Sequence, residues 1–358
     1  MEKSDKISQL RSRLNTYSLI FCNTFISFQS KDITMRARYI KIVISLTLII
    51  VLVITITSCQ ISYLTQALTG HMRIMRARQA IEKVLKSADY NQETKDKLQL
   101  VLDIHDFAIQ ELGLPDNESY TLYSELKEEY PGWNVFCAPK LSVEPKTWCF
   151  PIAGCVVYHG YFKKEKALEF ANKMKKEDLD VYTSPFTAYS TLGWYKDPIL
   201  STHMNYDSIR LAGLIIHEMA HQRFYKSGDS NFSESFAVTV ERAGVLHWLK
   251  TLNQEDQRAK AIKGWKAEDQ YVARMLKARN LLSEIYSSNI DSTQMLTQKN
   301  TILRALEHDL NIKENRLNNA NLIPISTYHS MIPMFQNILD SLNGNFRQFY
   351  KEVEQLSK

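Results

Sequence analysis

The residues best suited to chemistry are His217, Glu218, Met219, Ala220 and His221. Two histidines four residues apart on a helix share one face, so both imidazoles can reach a single metal ion. Glu218 follows the first histidine, where its carboxylate can meet a water on that metal. Zinc accepts neutral imidazole nitrogens and carboxylate oxygens, and a catalytic zinc keeps one position open for water. Five-residue patterns recur by chance, so the flanks decide. Ile209 to Ile216 is apolar on nearly all sides, the pattern of a buried helix. A His-Glu-His set at the end of such a helix is costly to bury unless it is paired or metal-bound. Downstream, Gly228, Asp229 and Ser230 break the chain, and Glu234 opens a second helical pattern with Phe236, Val240 and Val245 at apolar positions. A helix, a turn and an antiparallel helix over about residues 207–250 would return Glu234 to the histidines as third ligand, with one zinc ion per chain. Glu241, Asp229 and His203 are weaker alternatives, and the plain reading of Glu234 is a first-turn glutamate favoured by the helix dipole.

Other elements must position this set. Tyr63 to Leu85 and Lys95 to Leu112 carry apolar residues at helical spacing. Gly113, Leu114 and Pro115 end the second of these. Trp133–Cys137, Cys155–His159, Leu179–Tyr182 and Ala188–Trp194 are short, β-branched or aromatic runs that predict strands, with an amphipathic helix over Phe162–Lys176. His105, His159 and His203 read as structural or exposed. After the ligand helix, Gln254–Tyr286 predicts a long charged helix, Ile302–Leu310 another, and two short helices close the chain. The expected fold class is α+β: a small mixed-sheet lobe followed by a mainly helical C-terminal part.

The N-terminal region bears on compartment. Residues 1–34 show no core periodicity and read as an upstream extension, with Met35 as the expected start. Met35 to Lys41 is basic, Ile42 to Ile56 is strongly apolar, and Ile56-Thr57-Ser58-Cys59 follows. A basic opening, an apolar run and small residues before a cut form a secretory signal over 35–58. The last four residues resemble a bacterial lipobox, which implies lipidation of Cys59 and a mature chain over 59–358. An uncleaved membrane anchor is the competing reading, since the run is about long enough to span. Gln60 after the cysteine implies, by the Gram-negative lipoprotein sorting rule, an outer-membrane protein facing the periplasm of the cell envelope. In an oxidising compartment Cys149 and Cys155 are close enough in sequence to pair around the turn between them. So short a loop would stabilise by roughly 2 kcal/mol. Cys137 reads as a buried strand cysteine. The chain is 44% hydrophobic and 23% charged with a net charge of +5 over 358 residues, which is ordinary for a globular protein and favours no particular partner. It carries no nucleic-acid motif and no phosphate-binding glycine loop.

Two segments carry a family resemblance. HEMAHQ followed by SESFAVTVE resembles the zincin metallopeptidases of the glutamate-ligand type, and the second segment is similar to the Asn-Glu-Gly-Phe-Ala stretch of zinc aminopeptidases, with Ser233 where the asparagine stands. The gap from His221 to Glu234 is shorter than in those enzymes. A nearer resemblance is to a bacterial family of predicted aminopeptidases, often lipoproteins, carried by SCQISYLTQALTGHMRIM, EPKTWCFPIAGCVVYHGYF, AYSTLGWY and LAGLIIHEMAHQRFY and covering roughly residues 58 to 355. The resemblance implies a zincin-like peptidase acting on a peptide substrate, tethered to membrane lipid by its N-terminal anchor. It implies Glu218 as general base. It also implies an edge strand that binds extended peptide, assigned to Tyr189, Ser190, Thr191, Leu192 and Gly193. An oxyanion donor from outside the metal helices would be Tyr328 or His329. An aminopeptidase must also hold the substrate's ammonium, for which Glu241 is the candidate unless it pairs with a cation or a ligand histidine. Two other readings stay open: an envelope endopeptidase, and a non-catalytic membrane-tethered binding or assembly factor with a structural zinc.

Overall fold

The structure, a computed structural model, describes residues 63–150, 154–328 and 331–357. Residues 1–34, the 35–58 segment, Cys22, Cys59 and His329 lie outside the described residues. The chain divides into two units, residues 1–65 and 66–358, and the second contains the three sheets described below. Among the described residues no helix is long and apolar enough to cross a membrane.

The fold is α+β. Residues 63–76 are helical (α1). The helical pattern then breaks, contrary to the single helix expected to Leu85: Arg78–Ala80 is a strand (β1) and Ile81–Lys86 a short helix (α2). Tertiary pairing overrides the periodicity here. β1 pairs antiparallel with β2 (Leu122–Ser124), while Ser124 Oγ and Arg78 Nε donate to the end carbonyls of α1, Ile74 O at 3.0 Å and Met75 O at 2.8 Å. β2 also pairs in parallel with β8 (Ile199–Leu200), giving a small mixed sheet. A second, antiparallel sheet has the order β6 (Tyr158–Tyr161), β3 (Gly132–Pro139), β7 (Leu179–Phe186), and α4 (Lys164–Lys176) joins its two edges. The third is a hairpin of β4 (Trp148–Phe150) and β5 (Gly154–Val156). Cys149 and Cys155 are directly opposite in that hairpin and form the expected disulfide. Cys137 is buried and free, as its strand pattern implied.

The main core is helical. α3 (Gln92–Gln110), α5 (Ser208–Arg223), α6 (Ser230–Thr251), α10 (Ile332–Ser341) and α11 (Phe346–Leu356) enclose Leu98, Leu211, Ile215, Met219, Phe236 and Phe349. α7 (Glu255–Tyr286) and α8 (Ser292–Asp309) form a second packed pair around Leu282 and Leu303. α9 (Ile323–Tyr328) follows. A buried ion pair, Lys299 Nζ to Asp180 at 2.5 Å, ties α8 to β7, and Asp180 also accepts from the Asn319 N–H at 3.0 Å. Each charge is compensated by a partner, without which it would not stay buried.

Candidate metal centre

α5 and α6 run antiparallel through a tight turn. Asp207 caps α5 by accepting from Arg210 N–H at 2.9 Å, and Asp229 caps α6 by accepting from Phe232 N–H at 3.0 Å. Ser233 Oγ accepts from Lys226 N–H at 3.0 Å and donates to Asp229 O at 3.0 Å, locking the turn beside Glu234. Small residues let the helices approach. A methyl on Gly213 would lie 3.0 Å from Glu241 Oε1, and one on Gly244 would lie 3.1 Å from Ile216 Cγ2.

This pairing brings His217, His221 and Glu234 together, one ligand atom of each within 4.8 Å of the others. His217 Nε2 and His221 Nε2 are 3.2 Å apart, and Glu234 Oε2 is 3.3 Å from the first and 3.5 Å from the second. Zinc bonds of about 2.0–2.1 Å put neighbouring donors of a tetrahedron about 3.3–3.4 Å apart. The three separations therefore fit a zinc-sized tetrahedral ion without rearrangement. Burial opposes a charge on His217, but the hydrogen bonds it donates to the Glu234 and Glu241 carboxylates outweigh it and hold the imidazole pKa well above its usual value. Burial likewise opposes the Glu234 carboxylate, yet His217 and His221 bring it down to about 2. Both shifts arise from the close approach of the imidazoles to the carboxylates.

Glu241 reaches the same centre from behind. Its Oε2 accepts from His217 Nδ1 at 2.9 Å, which orients the ring so that Nε2 faces His221 and Glu234. It is therefore bonded to His217, and it lies outside the group formed by His217, His221 and Glu234. His221 Nδ1 is buried with no hydrogen-bond partner among the described residues. Of the other ligand alternatives, Asp229 is a helix cap. His203 is buried away from the set, with Nε2 2.7 Å from Thr187 O and Nδ1 accepting from Leu200 N–H at 3.2 Å. Glu218 is buried on α5, where it adds to burial in pushing up the pKa of the Tyr120 hydroxyl. Tyr120 itself sits at φ 66, a strained backbone for a bulky side chain, held by its N–H to Asp197 O.

The expected strand Ala188–Trp194 is absent. Those residues form a loop and turn, with Leu192 at φ 56 and Gly193 at φ 79, left-handed conformations that no strand contains. The cause is Asp197, wholly buried, which accepts from Thr191 N–H at 2.8 Å, Thr191 Oγ1 at 2.7 Å and Ser190 Oγ at 3.4 Å. Tyr189, Ser190, Thr191, Leu192 and Gly193 thus offer no free strand edge. Tyr189 Oη instead meets His71 Nδ1. Of the two oxyanion candidates, His329 lies outside the described residues and Tyr328 ends α9. Sequence reasoning missed Tyr225. Just past the end of α5, its half-exposed ring stands edge-on to His221 with centroids 6.0 Å apart, and Glu234, after burial, raises its pKa. Four-residue spacing from His221 was the available signal. It was obscured because α5 stops at Arg223.

Comparison with known proteins adds one match. The family described as "Putative aminopeptidase" matches residues 62–358. No curated protein and no solved structure matches the chain.

Proposed function

The chain belongs to the "Putative aminopeptidase" family, and we propose that it is a zincin-like zinc peptidase with one ion held by His217, His221 and Glu234. The observation that carries this reading is the spacing of the three donor atoms, 3.2 to 3.5 Å, beside a glutamate one residue after the first histidine. Zinc, when bound, would supply a water acidic enough to ionise near neutrality and a Lewis acid for the scissile carbonyl. Glu218 would serve as the carboxylate that takes a proton from that water and returns it to the leaving amine. Glu241 holds His217 in its ligating tautomer. The oxyanion donor is drawn from Tyr225, Tyr328 or His329. A structural zinc would not need Glu218 and would close its fourth position with a protein ligand.

The family description favours removal of N-terminal residues. One observation favours an endopeptidase as second reading: Glu241, the acid expected to hold a free ammonium, is bonded to His217. We also infer export and lipid anchoring at Cys59 in the bacterial envelope, supported by the basic, apolar and lipobox-like pattern of residues 35–59. The test is cleavage of paired free-amine and N-acetylated peptides by the zinc-loaded chain, with a chelator control. Chelator-sensitive cleavage confined to free amines supports the aminopeptidase. Cleavage of both supports the endopeptidase, and cleavage of neither favours a binding factor. Glu218→Gln should keep stoichiometric zinc and lose roughly 100-fold or more in kcat. Glu234→Ala should lose zinc. Full zinc in that variant by elemental analysis removes Glu234 from the ligand set.

A further inference from the structure

We propose that the turn Thr191–Tyr195 is the specificity wall of the peptide site, receiving an apolar side chain of the substrate next to the scissile bond. The inference rests on the peptidase reading and names its substrate class. Glu218 and Gln222 are one helical turn apart and so share a face of α5. The turn is fastened to that face. A Cβ on Gly193 would lie 3.6 Å from Gln222 Cβ and 2.9 Å from Asn117 Nδ2, and Asn117 Nδ2 donates to Gln222 Oε1 at 2.9 Å. Asp197 and Ser190 of this segment act on the pKa of the buried Tyr120 hydroxyl, as Glu218 does. The turn therefore runs along the base-bearing side of the metal helix.

Its construction separates polar from apolar. The polar groups turn inward: Asp197 takes Thr191 and Ser190, Thr191 Oγ1 accepts from Tyr195 N–H at 3.1 Å, and Ser190 Oγ accepts from Leu192 N–H at 3.2 Å. The apolar side chains turn outward: Leu192 is 37% exposed, Tyr195 55% and Trp194 82%. His71 braces Tyr195 with ring centroids 5.3 Å apart. Rigid aromatic groups bind without a large ordering cost, and Trp and Tyr dominate recognition surfaces for that reason. The adjoining cation is already used, since Lys196 pairs with Glu118 and its carbonyl takes Arg78 Nη1. That favours an uncharged apolar side chain over an anionic group.

The experiment uses the full zinc-loaded chain and a peptide pool read by mass spectrometry, with Trp194→Ala and Leu192→Ala as variants. Zinc content and thermal midpoint serve as controls for folding. Wild type should prefer Leu, Phe or Tyr beside the cut over Ala or Asp, and Trp194→Ala should reduce that preference about tenfold or more, the scale set by an apolar pocket contact. The zinc-loaded Glu218→Gln chain supplies a reading without turnover. Its affinity for Ala-based pentapeptides carrying one Leu or Phe, measured by calorimetry, should fall similarly when Trp194→Ala is added. Unchanged selectivity and unchanged affinity would overturn the proposal, as would a wild type indifferent to apolar residues. If Trp194→Ala weakens binding to phosphatidylglycerol vesicles while peptide selectivity stays intact, the surface is a lipid contact and the proposal is wrong. A chain that cuts nothing overturns the peptidase reading and this inference with it, whereas cleavage whose selectivity is unchanged in Trp194→Ala overturns this inference alone.

Discussion

Replacing Glu241 by alanine tests whether the centre was built to hold a metal. The carboxylate accepts from His217 Nδ1 at 2.9 Å, and nothing else among the described residues is paired with that nitrogen. Its removal leaves a largely buried N–H without a partner and frees the ring to rotate or change tautomer. A hydrogen bond to a charged group contributes about 1.5–3 kcal/mol. Loss of such a partner typically weakens metal binding about 10–100-fold, which corresponds to about 1.4–2.8 kcal/mol. The Glu241 side chain is 24% exposed, so water can partly replace it. The expected loss is therefore at the lower end, about tenfold in zinc affinity. Glu241→Gln keeps a neutral acceptor and should lose less. Gly213→Ala perturbs the same bond without touching either partner, because its methyl would lie 3.0 Å from Glu241 Oε1 and must displace the carboxylate by a few tenths of an ångström. It should weaken zinc in the same direction. The assay is competition with a chelating dye near pH 7.4, with thermal unfolding of the zinc-free variants as a control. If Glu241→Ala binds zinc as tightly as wild type, the carboxylate does not orient His217 and the reasoning fails.

Tyr225→Phe should lower kcat on the order of 100-fold, the effect of losing one oxyanion donor, while zinc content and KM stay near wild type. An unchanged kcat returns the role to Tyr328 or His329. Acid should destabilise the fold through His203, whose pKa burial depresses to about 4 despite the Thr187 carbonyl. The unfolded imidazole takes its proton near pH 6.5 and the folded one only near 4. This contribution is therefore complete above pH 6.5 and is lost as pH falls towards 4, by on the order of 3 kcal/mol in full. His159, lowered to about 4 by burial, acts in the same direction. Urea unfolding midpoints at pH 7.5 and 5 check this, and His203→Gln should flatten the slope. An equal slope in that variant would exclude His203 as its source.

The grouping of His217, His221 and Glu234 was legible because its signals are local. His217, Glu218 and His221 lie on one helix face, and Gly228 with the Asp229 cap closes a turn short enough to force α6 back along α5. Given that antiparallel return, Glu234 must meet His221 and His217. Glu241, seven residues further and on the same face, must then meet His217 and Gly213. The register that brings Glu234 to both histidines thus also carries Glu241 to the other ring nitrogen of His217. The helices were equally legible wherever a tertiary partner agreed with the pattern. Residues 63 to 86 show the opposite case: the apolar period runs through Arg78–Ala80, but β2 offers a ladder there and the chain leaves the helix to take it.

The misread strand at Ala188–Trp194 fails for a reason visible in side-chain chemistry. A strand sends successive side chains to opposite faces, so Ser190 and Thr191 could not both point inward. Here both hydroxyls bond the same buried carboxylate, Asp197. A buried acid must be satisfied by donors, and a compact turn is the local geometry that can deliver two hydroxyls and a backbone N–H to one carboxylate. Residue types alone favoured a strand, because Tyr, Thr and Trp are strand formers. Asp197, six residues beyond Thr191 in the sequence, decides the matter through burial. The turn that results faces its Leu192, Trp194 and Tyr195 side chains outward. On the proposal above, the segment expected to bind peptide by backbone pairing would bind it by side-chain contact, which would tie selectivity to the identity of one substrate residue rather than to an extended peptide backbone.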